Sequence, residues 1–440
     1  MFQKRFPPHK LIKKRINTLN RADHLLFCAD CIIITTAKRV KSETNNLSER
    51  EGASMESLRR YWAEINLDAL RENALALQQK SGKELFCVIK ADAYGHGDYA
   101  VARELENCGI KHFAVSNLQE AMSLREKGIA SDLLIFGTTP ETSFSQLLAD
   151  DLTQTVYSYE YARKLSDFSL KKNARLRVHI KLDTGMGRMG FRCCDGLFAT
   201  EELKKVLALP GLLFEGIYTH FSSADSRSET DIAYTLEQYR CFETQVQILQ
   251  DAGYEFRWIH CQNSGGILLH EAPVCNACRP GLVLYGISPF EGGWTPVPLR
   301  QVMSLHATIT DVKVLPVGAF VSYGRHFQAA RETKTAIVPV GYADGYLRCL
   351  SGGEVILPAG KAKTIGNICM DQFMVDVTDL PVSPGDECIL MGKKGNFEIS
   401  AWELAKRAGT IPYEIICGVS RRVPRLYEKA GCDNKEISYL

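Results

Sequence analysis

Lys90 stands at the end of an apolar run, Leu85–Ile89, and inside the sequence "VIKADAYGHG", Val88 to Gly97. An amine at the end of a buried strand is costly to keep charged. Burial lowers its pKa and favours the nucleophilic free base. That is the condition for condensing with an aldehyde cofactor as a Schiff base. The bland alternative is a lysine whose stem lies on apolar surface while its ammonium reaches water. Gly95 and Gly97, flanking His96, let the backbone approach a ligand closely.

Two further patterns could imitate chemistry. Gly185, Gly187 and Gly190 spell GxGxxG after a strand-like run. The pattern lies mid-chain, and Asp183 just before it would repel a pyrophosphate, so a dinucleotide fold is disfavoured. The pairs Cys28/Cys31 and Cys275/Cys278 have CxxC spacing. Their separation is far outside the ~15–20 residues of a zinc ribbon. Coincidence or core packing is the expected reading, and no metal is expected. The 15 cysteines are odd in number and scattered, which suits reduced thiols in a cytosol.

The elements that would position Lys90 alternate in type. Strand patterns at Leu85–Lys90, His112–Ser116, Leu133–Phe136, Thr155–Tyr157, Leu176–Leu182, Leu213–Tyr218, Arg257–Cys261 and Val283–Tyr285 are separated by helical ones. Those include Asp98–Cys108, Leu118–Lys127, Tyr159–Ser169, Asp195–Ala208 and Asp231–Ala252. About eight βα units imply an α/β fold, a (β/α)8 TIM-type barrel over residues 59–290, with a doubly wound sheet as runner-up. Barrel strands present residues to the active-site mouth at their C-terminal ends, where Lys90 falls. Beyond residue 291 the pattern changes to Val- and Ile-rich runs broken by Pro and Gly. Only Ala401–Ala408 reads as helical, so residues 291–440 form a C-terminal β-rich domain. Trp62–Leu67 is strand-like and free to pair with it.

The chain has 440 residues and a net charge of +2. Near-neutral charge gives no global field for nucleic acid or an anionic membrane. No apolar run reaches the ~18 residues of a membrane span. The balance is uneven: 11 Lys and Arg against 5 Asp and Glu in residues 1–54, and 42 against 46 in the remainder. Residues 1–58 read as a basic extension, disordered or not native, with Met55 as the expected natural start. A secretory signal is disfavoured, because Asp30 interrupts the apolar segment and the region before it is long.

"VIKADAYGHG" resembles the cofactor-attachment motif of the alanine racemases. "KLDTGMGRMGF" (181–191), "YTHFSSAD" (218–225), "HCQNS" (260–264), "RPGLVLYG" (279–286), "VSYG" (321–324), "VGYADGYLR" (340–348), "GNICMDQFMVDVTD" (366–379) and "RRVPRLY" (421–427) follow in family order. The resemblance covers roughly residues 61–430. It implies a pyridoxal 5'-phosphate barrel with a β domain, working as a homodimer that interconverts L- and D-alanine. It also implies a cytoplasmic enzyme supplying D-alanine for peptidoglycan, with no nucleic-acid or membrane partner.

The same resemblance assigns the site. Lys90 would carry the cofactor and act as one base. Tyr323, from the partner subunit, would be the other, on the opposite face of Cα. A tyrosine's ordinary pKa near 10 makes it a poor base unless positive charge lowers it. Arg279 would face the pyridine nitrogen, fixed by His260, and His220 would pack on the ring. Tyr94, Ser264, Tyr413 and the backbone of Gly281 and Leu282 would hold the phosphate, with Asn263 assisting. Arg188 would lie by the phenolic oxygen, oriented by Lys181, a position often carbamylated. Met370 would meet the substrate carboxylate through its backbone N–H. Tyr342, Asp225 and Arg348 would line a narrow access corridor. Asn367 departs from the arginine many relatives carry there. The alternatives are a racemase of wider range, acting on serine or lysine, or a barrel-type decarboxylase, which should favour an acidic partner where Arg279 stands. A non-enzymatic carrier of the cofactor is a third, disfavoured by the β domain.

Overall fold

Short strands buried on both faces and alternating with helices pair in parallel, and closing the sheet on itself leaves no open edge. The computed structural model describes residues 60–432 and the strand Lys435–Ile437, and it shows this closure. We number the first strand β1 (Tyr61–Asn66). Eight parallel strands follow: β2 (Glu84–Val88), β3 (His112–Val115), β4 (Asp132–Ile135), β5 (Thr153–Val156), β6 (Leu176–Asp183), β7 (Leu212–Tyr218), β8 (Trp258–His260) and β9 (Ala277–Cys278). Neighbours in sequence pair in space, and β9 returns to β2 to close the barrel. The chain leaves β3, β5 and β8 through Asn117, Ser158 and Asn263. Each side chain accepts a hydrogen bond from the N–H three residues on. Such caps contribute roughly 1 kcal/mol each and start the helices promptly, so the strand ends gather at one mouth.

Three expectations need correction. Val283–Tyr285 is not a barrel strand but part of a buried 3-10 turn, Leu282–Tyr285. The closing strand is the two-residue Ala277–Cys278. A short apolar run buried on every side carries no period to tell strand from turn. The helix expected from Asp195 begins at Thr200. Asp195 and Gly196 have φ of +56° and +77°, outside helical backbone. A helix at Pro412–Cys417 was not anticipated, and its proline sits where a helix tolerates one, in the first turn.

The second sheet has 11 strands. Its outer run includes Asp311–Leu315, Thr333–Val338, Phe373–Asp376 and Gly360–Ile365. β1 lies inside this sheet, antiparallel to Met303–Thr308 and parallel to Arg425–Glu428. His306 ties three of its strands together. Its Nδ1 is 3.0 Å from Glu387 and its Nε2 3.3 Å from Glu64 of β1. The chain therefore begins its described part in the β-rich sheet and only then enters the barrel.

The extension over residues 1–58, its Met55 start and the Cys28/Cys31 pair lie outside the described residues. Cys275 and Cys278 are buried free thiols, and Cys275 Sγ lies 3.3 Å from Cys261 Sγ. Among the described residues no helix is long and apolar enough to cross a membrane.

Candidate active site

A cavity of about 620 Å³ opens at the C-terminal ends of the barrel strands. Lys90, Tyr94, Lys181, Arg188, His220, Asp225, Asn263, Ser264, Arg279, Gly281 and Tyr413 all line it. They come from positions up to 323 residues apart in sequence, Lys90 to Tyr413. Phe136, Met186, Met189 and Ile411 line it as well, and sequence reading did not single them out. Apolar residues in the segments beyond strand and helix ends give no signal until those ends are known to converge.

Lys90 follows β2 after one residue, Ile89, and opens an unusual turn. Ala91, Asp92, Ala93 and Tyr94 all have φ between +52° and +55°, a left-handed helical turn of L-residues. Each such residue costs about 1–2 kcal/mol. Surrounding contacts hold the turn in place. Glu120 accepts from the N–H of Ala91 at 2.8 Å and of Ser116 at 2.7 Å. Buried Arg425 donates twice to Gly95 O, at 3.0 and 3.1 Å, and Tyr427 donates to His96 O. Gly95 is obligatory, since a Cβ there would lie 2.3 Å from Ile416 O. Strain that the surroundings over-determine is a mark of functional sites. Here it aims Lys90 and Tyr94 into one cavity. Burial, with the Arg188 charge beside it, lowers the Lys90 pKa and favours its free amine.

Tyr94 and Tyr413 face each other with ring centroids 6.0 Å apart. Burial pushes Tyr413 up to about 12 and Tyr94 higher still, so both keep their protons and act as neutral donors. Gly281 N–H donates to Ser264 Oγ at 3.1 Å. A Cβ on Gly281 would lie 2.8 Å from the Tyr94 hydroxyl. Neutral hydroxyls and amides around a cradle that admits no side chain suit a phosphate ester. Leu282 itself is fully buried, so only its backbone can take part. Asn263 caps the Ser264–Leu269 helix.

Arg279 is buried, and carbonyl oxygens and imidazole nitrogens surround its guanidinium. Nη1 donates to His260 Nδ1 at 2.6 Å and to His260 O at 2.9 Å. Nη2 donates to Thr219 O at 2.6 Å, to Cys261 O at 3.0 Å, and toward His220 Nδ1 at 3.4 Å. Such partners fix the guanidinium without neutralising it. Beneath it His260 Nε2 lies 3.0 Å from His179 Nδ1. His179 was missed by sequence reading, although it stands two residues before Lys181 on the same face of β6. Lys181 is buried and donates to Leu182 O at 2.7 Å. Burial and the Arg279 charge hold its amine down at about 7.

Tyr323 and Met370 are brought together, but not with Lys90. They line a second cavity of about 680 Å³ on the β-rich part, where Tyr323 is 74% and Met370 53% exposed. Asn367 Nδ2 donates to Tyr323 O at 2.7 Å, and Ser322 Oγ donates to Asn367 O at 2.7 Å. Asn367 thus braces the tyrosine's own turn. Tyr342 is exposed and its N–H donates to Cys369 O, beside Met370. Arg348 is exposed nearby in sequence.

The buried imidazoles predict an acid limit to stability. Burial lowers His96 and His179 to about 3, and His220 and His260 well below their ordinary value. Unfolded histidine titrates near about 6.5. Between those values the unfolded chain binds more protons, so stability is lost as pH falls from about 6.5 toward about 3. Urea midpoints are expected to start falling below about pH 6.5, before ordinary carboxylates titrate. A flat midpoint down to about pH 5 would contradict neutral burial of these rings.

Residues 65–289 match the family description "Alanine racemase, N-terminal domain", and residues 302–427 match "Alanine racemase, C-terminal domain". The chain is 41% identical over 378 residues to alanine racemase 1 of Clostridium acetobutylicum, covering 85% of this chain and 97% of that one. It is 37% identical to the alanine racemase of Methanococcus maripaludis, covering 83% and 98%. Among solved structures, the alanine racemase of Clostridium difficile 630 superposes with a TM-score of 0.80 at 35% identity, covering 87% and 99%. That of Bacillus anthracis with bound L-Ala-P gives 0.80 at 34% identity, covering 87% and 98%.

Proposed function

Because the chain belongs to the alanine racemase family, we propose that it interconverts L-alanine and D-alanine with pyridoxal 5'-phosphate as cofactor. The observation that carries this reading is the sharing of one cavity by the partly desolvated Lys90 amine and the buried Arg279 guanidinium. Tyr94, Ser264, Tyr413 and the backbone N–H groups of Gly281 and Leu282 hold the phosphate, assisted by Asn263. Arg279 would face the pyridine nitrogen, and His220 would pack on the ring. Arg188 would meet the phenolic oxygen. With its amine held down at about 7, a substantial unprotonated fraction of Lys181 can add to carbon dioxide with release of a proton, and as its carbamate Lys181 would orient Arg188. When bound, the cofactor supplies an aldehyde for amines and an electron-withdrawing ring that acidifies Cα.

Lys90 Nζ, its proton affinity lowered by burial and the Arg188 charge, takes and returns the Cα proton on one face. The partner subunit's Tyr323 Oη does so on the other. An exposed tyrosine beside an exposed Met370 becomes interior when a second copy covers that face, which supports a shared site in a homodimer. Met370 contributes its backbone N–H to the substrate carboxylate, and Tyr342, Asp225 and Arg348 line the corridor to it. Arg279 has no proton to give at physiological pH. It therefore keeps the ring nitrogen an acceptor, where a decarboxylase should present an acid. Supply of D-alanine to peptidoglycan from the cytoplasm follows from the family.

Chiral analysis after incubating the holoenzyme with L-alanine, L-serine and L-lysine tests the reading. D-alanine should accumulate fastest. Cofactor absorbance without any D-alanine would overturn it, and faster D-serine or D-lysine would move the substrate to that amino acid.

A further inference from the structure

We propose that His179 is a positioning residue for the racemase reaction, holding His260 in the one tautomer that lets it fix Arg279. The inference deepens the racemase reading and rests on it for its activity measurements only.

The argument begins at Arg279. A guanidinium has donors and no acceptor. Its Nη1 lies 2.6 Å from His260 Nδ1, so that nitrogen must offer a lone pair. His260 is fully buried between that cation and the barrel interior, where burial and the Arg279 charge keep it neutral. A neutral ring with a bare Nδ1 carries its proton on Nε2. The Nε2 proton then needs an acceptor, and His179 Nδ1 lies 3.0 Å away. Every hydrogen bond in this row points the same way, from Arg279 to His260 and from His260 to His179.

The barrel makes room for this ring deliberately. His179 of β6 is in register with Gly216 of β7. A Cβ at position 216 would lie 2.6 Å from the His179 imidazole. Phe86 packs edge-on to His179 at 5.7 Å and face-on to His260 at 5.1 Å, so neither ring can turn freely. Were His179 apolar, the His260 Nε2 proton would be buried without a partner. The other tautomer would aim a proton at the guanidinium. Either outcome loosens Arg279, the group that faces the cofactor ring in the proposed mechanism.

A packing role and a positioning role predict opposite rankings of two variants. His179→Leu keeps bulk and removes the acceptor. His179→Asn loses bulk but can place Oδ1 where Nδ1 was. Under the positioning role, His179→Leu loses roughly tenfold in kcat, about one buried hydrogen bond's worth, with KM for alanine little changed. His179→Asn stays within about threefold of wild type although it unfolds at lower temperature. The readout that does not depend on activity is imidazole ¹⁵N NMR of the cofactor-free protein, with His260 assigned from a His260→Gln spectrum. Wild type and His179→Asn should show His260 protonated on Nε2 and bare on Nδ1 across neutral pH, and His179→Leu should show mixed tautomers. A proton on His260 Nδ1 in wild type overturns the proposal, as does a His179→Asn enzyme weaker than His179→Leu. If His179→Leu does not fold, the wild-type and His179→Asn spectra still decide. Wild-type protein that fails to racemise alanine would overturn the racemase reading while leaving the tautomer result standing.

Discussion

Lys90→Ala is expected to abolish racemisation and the absorbance of covalently held cofactor, leaving the fold intact. The lysine is the one amine in the cavity placed directly at a strand end by the left-handed turn. Removing a nucleophile and base costs roughly a thousandfold or more in kcat, because no neighbour can take either role. Lys181 shares the cavity but is buried and engaged with Leu182 O, so it is not a substitute. The turn is held through backbone atoms by Glu120, Arg425 and Tyr427, and those hydrogen bonds do not use the Lys90 side chain. Thermal unfolding should therefore be unchanged or slightly raised, since a partly desolvated amine is lost. Retained turnover with wild-type absorbance would remove Lys90 from the chemistry.

Tyr323→Phe is expected to lose on the order of 10²–10⁴ in turnover, the usual contribution of a positioned acid or base. The residue is 74% exposed in one chain, so the fold of the subunit should not change. Overall equilibrium ties the two directions together, so isotope exchange at Cα is the proper readout, and exchange from one enantiomer should suffer more. The shared site adds a quantitative check. Mixing Lys90→Ala with Tyr323→Phe protein under exchanging conditions makes heterodimers with one site intact and one doubly defective. Random pairing of equal amounts gives about one quarter of wild-type activity from two inactive parents. No recovery despite demonstrated subunit exchange would place both residues in the same subunit's site.

Much of this site was legible because its chemistry is carried by residues beside strand ends. Lys90, Lys181, His220 and Arg279 each adjoin a short apolar run, and such runs can be read from composition. The (β/α)8 reading survived a misplaced final strand, since Ala277–Cys278 is too short to show any period. Two things were not legible. The membership of β1 in the β-rich sheet depends on pairing with strands some 240 and 360 residues away, which no local pattern encodes. The row from Arg279 through His260 to His179 depends on three strands meeting inside the barrel. A lone histidine in "RVHIKLD" gives no hint of that, and the glycine that admits it lies on another strand. Asn367 was read as a residue of the access corridor, and its side-chain bond to the backbone of Tyr323, 44 residues earlier, has no local sequence signal.

The turn after Lys90 has one more consequence, concerning chirality of the building block itself. Ala91 has φ +54° and ψ +51°, and Ala93 has φ +52° and ψ +50°. Reflected in a mirror, these are ordinary right-handed helical angles. They are therefore the relaxed conformation of the D-enantiomer and a strained one for the L-residue encoded. Two L-alanines thus hold, beside the reactive lysine, the backbone shape that D-alanine would adopt at rest. A semisynthetic chain with D-alanine at both positions would keep the same turn with about half of its strain relieved, leaving the contacts of Glu120 and Arg425 to hold only Asp92 and Tyr94 in it.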